Sequence, residues 1–473
     1  MAQSLSKSIP APKGTRDLYP DDLLRQRYIT EAWRRVSIRH GFDEIAGPTF
    51  EMLDLYKKKS GEGIVSELFS FRRTGGDDDY ALRPEFTPTL ARMYAAKANS
   101  LPSPCKWFTA GPYFRAEKPQ RGRLREFLQW NCDVMGGDQE SSSTHDAEIV
   151  AVILDLTTEF GLVRGHQVCM YLNDRRVVAK RLESAGVSSN KIDVGFNLLD
   201  SIGKVDLDEF KKRSSDLGIV GEALDRWVGF AGLRHRMVDV TMNAEPFHPQ
   251  QWGLVELTAL HSALLLSGNL DGCGYLPSLA RGLAYYTGTV FELIADGERA
   301  VAGGGRYDNL IELFGGPPTP AVGFGMGDVV LGLLLEDKGL MPEGPELMDA
   351  LSQKPASLRP EAFVIANEAG EAQVEPLLAK LRRGVESEAW NARDGKKPWD
   401  ADRYEVQPMH ARRSYKSTKN IGKLLADARK QYAKFAVIID SDEAAKVENL
   451  DTRQDLGTFP LDQVGAVIAK ALG

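Results

Sequence analysis

In the segment Phe114-Arg115-Ala116-Glu117-Lys118-Pro119-Gln120-Arg121-Gly122-Arg123-Leu124-Arg125-Glu126-Phe127, five basic residues crowd a turn between two strand-like runs. A polyanion suits such a turn. Planar guanidinium forks take phosphate oxygens in pairs, and an aromatic beside them can stack on a base. The same cluster also suits a solvated hairpin tip, and Phe127 taken alone suits a sheet core. Arg281 precedes a glycine and an aromatic run with Tyr285 and Tyr286, a setting shared by surface arginines and by tyrosines in sheet packing. Gly303, Gly304 and Gly305 before Arg306 give backbone that a ligand can approach closely, or simply a tight turn. A further stretch carries Arg412, Arg413, Lys416, Lys419, Lys423, Arg429, Lys430 and Lys434 with Asp427 as its only acid. RNA phosphates could dock on it, with affinity falling as salt rises; a basic helix face is the plainer reading.

These residues need elements to hold them. The spacing of Leu24, Tyr28, Trp33 and Val36 predicts an amphipathic helix over 21–40. From Phe42 to about Gly161, short apolar runs alternate with turn signals, as in an antiparallel sheet flanked by helices. Residues 171–276 turn leucine-, lysine- and aspartate-rich and predict a helical insertion, with helices over 208–217 and 254–266. Strand character returns at 284–295 and a second apolar run at 321–335, so the first domain, 1–170, resumes over 277–340. Four prolines in 341–360 mark a linker. Residues 361–473 predict an α/β unit, with strands at 362–366 and 435–440 and helices at 372–383, 421–431 and 461–472. The fold class expected is α+β.

Composition sets bounds on function. With 59 Lys and Arg against 66 Asp and Glu, the formal charge of −7 excludes a polycation that binds nucleic acid over its whole surface. Cys105, Cys132, Cys169 and Cys273 lie far apart without a CxxC pair, so buried small hydrophobes are expected rather than a zinc site or disulfides. No apolar run approaches the ~18 residues of a membrane span, and the opening residues lack a secretory apolar core, so a cytoplasmic protein is expected.

The basic hairpin resembles the second signature motif of class II aminoacyl-tRNA synthetases: an arginine and a glutamate on one strand, a loop, then aromatic and glutamine residues on the return strand. Gly47-Pro48-Thr49-Phe50-Glu51 is similar to the first motif, whose proline lies at the dimer interface in that family. Arg281-Gly282-Leu283-Ala284-Tyr285-Tyr286-Thr287-Gly288 resembles a signature particular to histidyl-tRNA synthetases. Leu82-Arg83-Pro84-Glu85-Phe86-Thr87 and Gly303-Gly304-Gly305-Arg306-Tyr307-Asp308 match further pieces in the same order. The resemblance implies a class II antiparallel catalytic sheet, a helical insertion and a C-terminal α/β anticodon-binding domain in a homodimer that activates histidine with ATP and Mg²⁺ and charges tRNA(His).

Carried over by position, it gives Arg115 the α-phosphate, Glu117 the adenine amino group, Arg123 the outer phosphates and Phe127 the adenine face, with Arg306 beside the nucleotide. Glu85, Thr87, Gln129, Asp133, Tyr285 and Tyr286 would line the histidine pocket. Arg281, with Arg115, would bridge the amino-acid carboxylate and the α-phosphate. The carboxylate is itself the nucleophile, so no Ser, Cys or His triad is required. Lys118, Gln120 and Arg125 would meet the tRNA acceptor end. No protein side chain is expected to form a metal site of its own.

One position departs from the family. In Ala321-Val322-Gly323-Phe324-Gly325-Met326-Gly327-Asp328-Val329-Val330-Leu331, the third motif keeps its glycines but has Val330 at the position of its phosphate-clamping arginine. That keeps an alternative open, a synthetase-like regulatory subunit of ATP phosphoribosyltransferase that senses histidine without charging tRNA. Such regulators usually lack the anticodon domain and depart from the RGLAYYTG signature.

Overall fold

Pro20 opens the first helix, Pro20–Arg39, at the position where a missing N–H costs nothing, and Asp22 accepts from the Tyr19 N–H at 3.2 Å. Its buried stripe of Tyr28, Ile29, Ala32, Trp33 and Val36 lies against the main sheet, where Trp33 stacks on Trp130 at 5.9 Å. The computed structural model describes residues 9–60, 62–138, 141–202, 205–232, 235–236, 257–279, 285–295, 300–351, 360–388, 390, 403–416 and 418–472.

Among the described residues the main sheet has nine strands, in the order Asp43–Glu44, Cys105–Phe114, Glu126–Met135, Ala321–Gly327, Ala300–Arg306, Thr289–Ala295, Val168–Asp174, Cys273–Tyr275 and His235–Arg236. The run from Cys105–Phe114 to Val168–Asp174 is antiparallel throughout. This is the mixed α+β architecture expected. Val168–Asp174 and Cys273–Tyr275 sit inside the sheet, although the sequence pattern assigns most of the first and all of the second to the insertion. Both are buried on two faces, so neither shows the polar alternation that marks a half-exposed strand. Among the described residues the helices between them are Arg175–Ser184, Ile192–Leu199, Leu207–Asp216, Glu222–Ala231 and Thr258–Leu266. All four cysteines are free and buried.

The helix Ser142–Glu159 is buried at every position from His145 to Thr157. At 100° per residue, Glu148, Asp155 and Glu159 fall on one face and Asp146 on the opposite one. Asp146 meets Arg306 of the sheet. The other three acids meet cations of the C-terminal domain, the sheet and the first helix: Glu148 with Lys106 at 2.7 Å and Arg382 at 3.4 Å, and Asp155 with Arg383 at 2.9 Å. Glu159 pairs with Arg39 at 2.7 Å, and its backbone carbonyl accepts from Arg403 at 2.9 Å. Burial works to raise these carboxyls, but the surrounding cations outweigh it and hold Glu159 down at about 2.

Among the described residues the C-terminal domain is built on a five-stranded sheet, Ala411–Arg413, Ala362–Ala366, Phe435–Ile439, Ala444–Asn449 and Gln454–Pro460. Val374–Arg383 and Val464–Leu472 cover the Val364 and Val437 face, and Ile421–Lys430 covers the Phe363 and Ile365 face. Three of these strands have no clear sequence signal, because Ala411–Arg413 is short and the hairpin from Ala444 to Pro460 is largely polar.

Candidate active site

Side chains on a strand alternate faces, so Phe127, Gln129, Asn131 and Asp133 all point one way while Trp130, Cys132 and Val134 enter the core beneath. Opposite them the next strand offers almost no side chains. Asp133 pairs with Gly323 and Asn131 with Gly325, and those two glycines pair in turn with Gly305 and Gly303. A Cβ on Gly323 would stand 1.8 Å from Asp133 Oδ1. Gly303, Gly323 and Gly325, with Gly327, therefore form the floor of a cavity of about 890 Å³, with the basic hairpin at one end and Glu85, Thr87, Tyr285, Tyr286 and Tyr307 at the other.

At the second end Asp133 is 2% exposed and accepts a hydrogen bond from the Tyr307 hydroxyl at 2.5 Å. Burial pushes its carboxyl up to about 7, with the Tyr307 hydrogen bond pulling in the opposite direction. Tyr285 lies 4.7 Å from Tyr286 and 6.1 Å from Tyr307 between ring centroids. Glu85 accepts from the Lys59 ammonium on one oxygen and from the Tyr285 hydroxyl at 3.4 Å on the other. Gln129 donates to Asn131 at 2.9 Å, and Thr87 opens the helix Thr87–Ala95 beside them. A small aromatic ring with hydrogen-bonding nitrogens fits among these acceptors and hydroxyls, and an apolar isostere would leave them unpaired.

At the hairpin end the Arg115 guanidinium lies 5.0 Å from the centre of the Phe127 ring, and its Nε donates to the Pro84 carbonyl at 3.4 Å. Arg123 and Glu117 both line the cavity and bond each other at 2.8 Å, so a nucleotide engaging either must exchange that pair. Lys118 and Gln120 also line it and are exposed at its rim. Gly122 adopts φ +75° in the turn, and a Cβ there would meet Val330 at 3.1 Å. Val330 thus packs on the loop from the position where the third motif would have its arginine.

Two predicted residues lie elsewhere and one is outside the described residues. Arg306 does not line the cavity: it is 6% exposed and directs its guanidinium to Asp146 at 2.5 Å, Asp308 at 3.1 Å and the Ser142 carbonyl at 2.8 Å. Its place beside the nucleotide is therefore replaced by a cross-tie between sheet and helix. Arg125 points back to the carbonyls of Glu117 at 3.2 Å and Lys13 at 3.4 Å, fastening the N-terminal segment rather than facing the cavity. Arg281 lies outside the described residues. In the C-terminal stretch, acids from elsewhere pair with the cations: Arg412 with Asp43, Arg413 with Glu371 and Glu375, Lys419 with Glu371 and Arg429 with Glu448. The stretch read along the chain shows Asp427 alone. Sequence reasoning also misses Lys59, Asn131 and Tyr307 as site residues; period-2 spacing from Gln129 and Asp133 marks Asn131, whereas nothing local marks Lys59.

A profile described as histidyl-tRNA synthetase matches residues 14–327. The histidine–tRNA ligase of Opitutus terrae is 39% identical over 337 residues, covering 70% of this chain and 75% of that protein. That of Haloarcula marismortui is 37% identical over 359 residues, covering 75% and 81%. A crystal structure of histidyl-tRNA synthetase from Nostoc sp. PCC 7120 superposes with a TM-score of 0.59 at 20% identity, covering 98% of this chain and all of that one, and shares the fold. A Bacillus halodurans structure titled as an ATP phosphoribosyltransferase regulatory subunit/histidyl-tRNA synthetase shares it too, at 0.59 and 19% identity over 93% of this chain and all of that one. With its profile match over most of the length and relatives well above 30% identity, the chain belongs to the histidyl-tRNA synthetase family.

Proposed function

We propose that the chain is a histidine–tRNA ligase that makes histidyl-adenylate from histidine and ATP and then charges tRNA(His). One observation carries this reading: the acidic and phenolic end and the cationic hairpin end open on a single cavity, large enough for an amino acid and a nucleotide together. In the first step a carboxylate oxygen of histidine attacks the α-phosphorus, the new O–P bond forms, and the bond to the β-phosphate oxygen breaks to release pyrophosphate. Arg115 on the wall, with Arg281 by resemblance, draws carboxylate and α-phosphate together, so alignment supplies most of the acceleration. In the second step a terminal ribose hydroxyl of the tRNA attacks the activated carbonyl carbon, loses its proton and displaces AMP.

Phe127 stacks the adenine, Glu117 meets its amino group, and Arg123 takes the outer phosphates in place of its present bond to Glu117. Glu85, Thr87 and Gln129 hold the ammonium group, and Asp133 with Tyr286 and Tyr307 reads the imidazole. Magnesium would arrive on the triphosphate, held by its phosphate oxygens, and would offset its charge. Lys118 and Gln120 at the rim meet the acceptor end of the tRNA, and the C-terminal α/β domain takes the anticodon. The regulator is disfavoured, because sensing histidine needs neither a nucleotide end nor that domain.

The small sheet Phe50–Met52, Asp79–Leu82, Ser70–Arg72 supports a homodimer. It exposes Phe50, Met52 and Phe71, and Phe50 meets Phe71 edge-on at 5.9 Å. An apolar face of that kind is suited to a second copy. Among the described residues no helix is long and apolar enough to cross a membrane, and we place the reaction in the cytoplasm with the rest of protein synthesis. The test is charging: the purified chain should attach labelled histidine to a tRNA(His) transcript and not to other tRNAs, and failure with tRNA(His) in the presence of ATP and magnesium would refute the reading.

A further inference from the structure

Lys59 lies in the last turn of the helix Leu53–Ser60, whose Leu53, Leu55 and Tyr56 pack with Leu68 and Ala81 and fix its backbone. Its side chain is 3% exposed. The ammonium group contacts Glu85 Oε1 and lies 4.2 Å from the centre of the Tyr285 ring, while the Tyr285 hydroxyl reaches the other Glu85 oxygen at 3.4 Å. Glu85 and Tyr285 line the cavity and Lys59 stands behind them. A buried ammonium would otherwise be costly, so this carboxylate and this ring face are its compensation.

The geometry points to Lys59 as a positioning residue for amino-acid recognition. It holds the Glu85 carboxylate in one orientation with its open side toward the cavity, where the α-ammonium of histidine is the second cation that carboxylate accepts. The inference rests on the reading of Glu85 as the acceptor for that ammonium. Without Lys59, the 3.4 Å contact from Tyr285 is a weak tether, and Glu85 would turn out of the productive rotamer.

The experiment uses the full chain and measures KM and kcat for histidine and ATP in adenylate formation, together with inhibition constants for histidinol and for the desamino analogue imidazolepropionate. Lys59→Met should raise KM for histidine and the inhibition constant of histidinol about tenfold, the size expected for one charge-assisted hydrogen bond. The KM for ATP and the inhibition constant of imidazolepropionate should stay put, since neither ligand presents an ammonium group. Lys59→Arg should restore most of the loss. Unchanged or tighter histidine binding in Lys59→Met would overturn the role, and so would equal weakening of all three imidazole ligands, which marks a collapsed pocket. Glu85→Gln separates the two levels: if it weakens histidine and Lys59→Met does not, only the inference about Lys59 fails; if it has no effect, the reading of Glu85 falls as well.

Discussion

Asp133 shows how a side chain proposed to read the ligand can be costly to the fold. An aspartate titrates near 4 in an unfolded chain, and burial moves this one to about 7. Between those values the folded chain keeps a proton that the unfolded chain has lost, so the contribution of Asp133 to stability falls as pH rises and is gone above about 7. Asp133→Asn should therefore melt close to the parent at pH 4, where both states bind the proton, and several degrees above it at pH 8, since each tenfold difference in proton affinity is worth about 1.4 kcal/mol, while histidine binding is lost at both. Thermal melts at the two pH values check this, and a gap that does not open with pH would contradict it. Asp133 is legible in the sequence because it stands four residues after Gln129 on a strand that the family motif marks. Tyr307 is not legible as its partner, since the hydrogen bond joins positions 174 residues apart. Arg306 misleads for the same reason: after three glycines it looks like a ligand clamp, and its true partner, Asp146, lies on a distant helix.

The glycine-rich strand Ala321–Gly327 works as an element. Its value to the site lies in what it omits, because side chains at 323 and 325 would fill the space that Asp133 and Gln129 occupy. Gly323→Ala places a Cβ 1.8 Å from Asp133 Oδ1, so the carboxylate must turn or the strands must part. A displacement of that order costs roughly a hundredfold in a positioned reaction. The prediction is a drop of that size in kcat/KM for histidine in a variant whose circular dichroism matches the parent; normal kinetics would refute the floor. The hairpin strands and this strand are legible from apolar runs and glycine spacing. Val168–Asp174 and Cys273–Tyr275 read as part of the insertion, since a strand covered on both faces carries no period-2 signature.

Across the whole molecule, charge is organised rather than abundant. A net charge of −7 coexists with a cavity end lined by Arg115, Lys118 and Arg123 and with a C-terminal domain docked through Arg382, Arg383 and Arg403 onto one helix. The order of the catalytic segments is legible through the family motifs, and the α/β unit through its alternating apolar runs; the prolines of 341–360 mislead in part, because Gly344–Leu351 is a helix whose Leu347 and Ala350 pack in the main core. How the α/β unit docks is not legible, because each of these contacts joins residues more than 200 positions apart. The account as a whole stands on the two ends of the cavity acting on one ligand pair. Exchange of labelled pyrophosphate into ATP reads this directly, since it occurs only when the amino-acid carboxylate attacks the α-phosphorus and the step reverses. The prediction is exchange that requires histidine and that neither histidinol nor any other amino acid supports. Tight histidine binding without exchange would contradict the account and point to a histidine sensor.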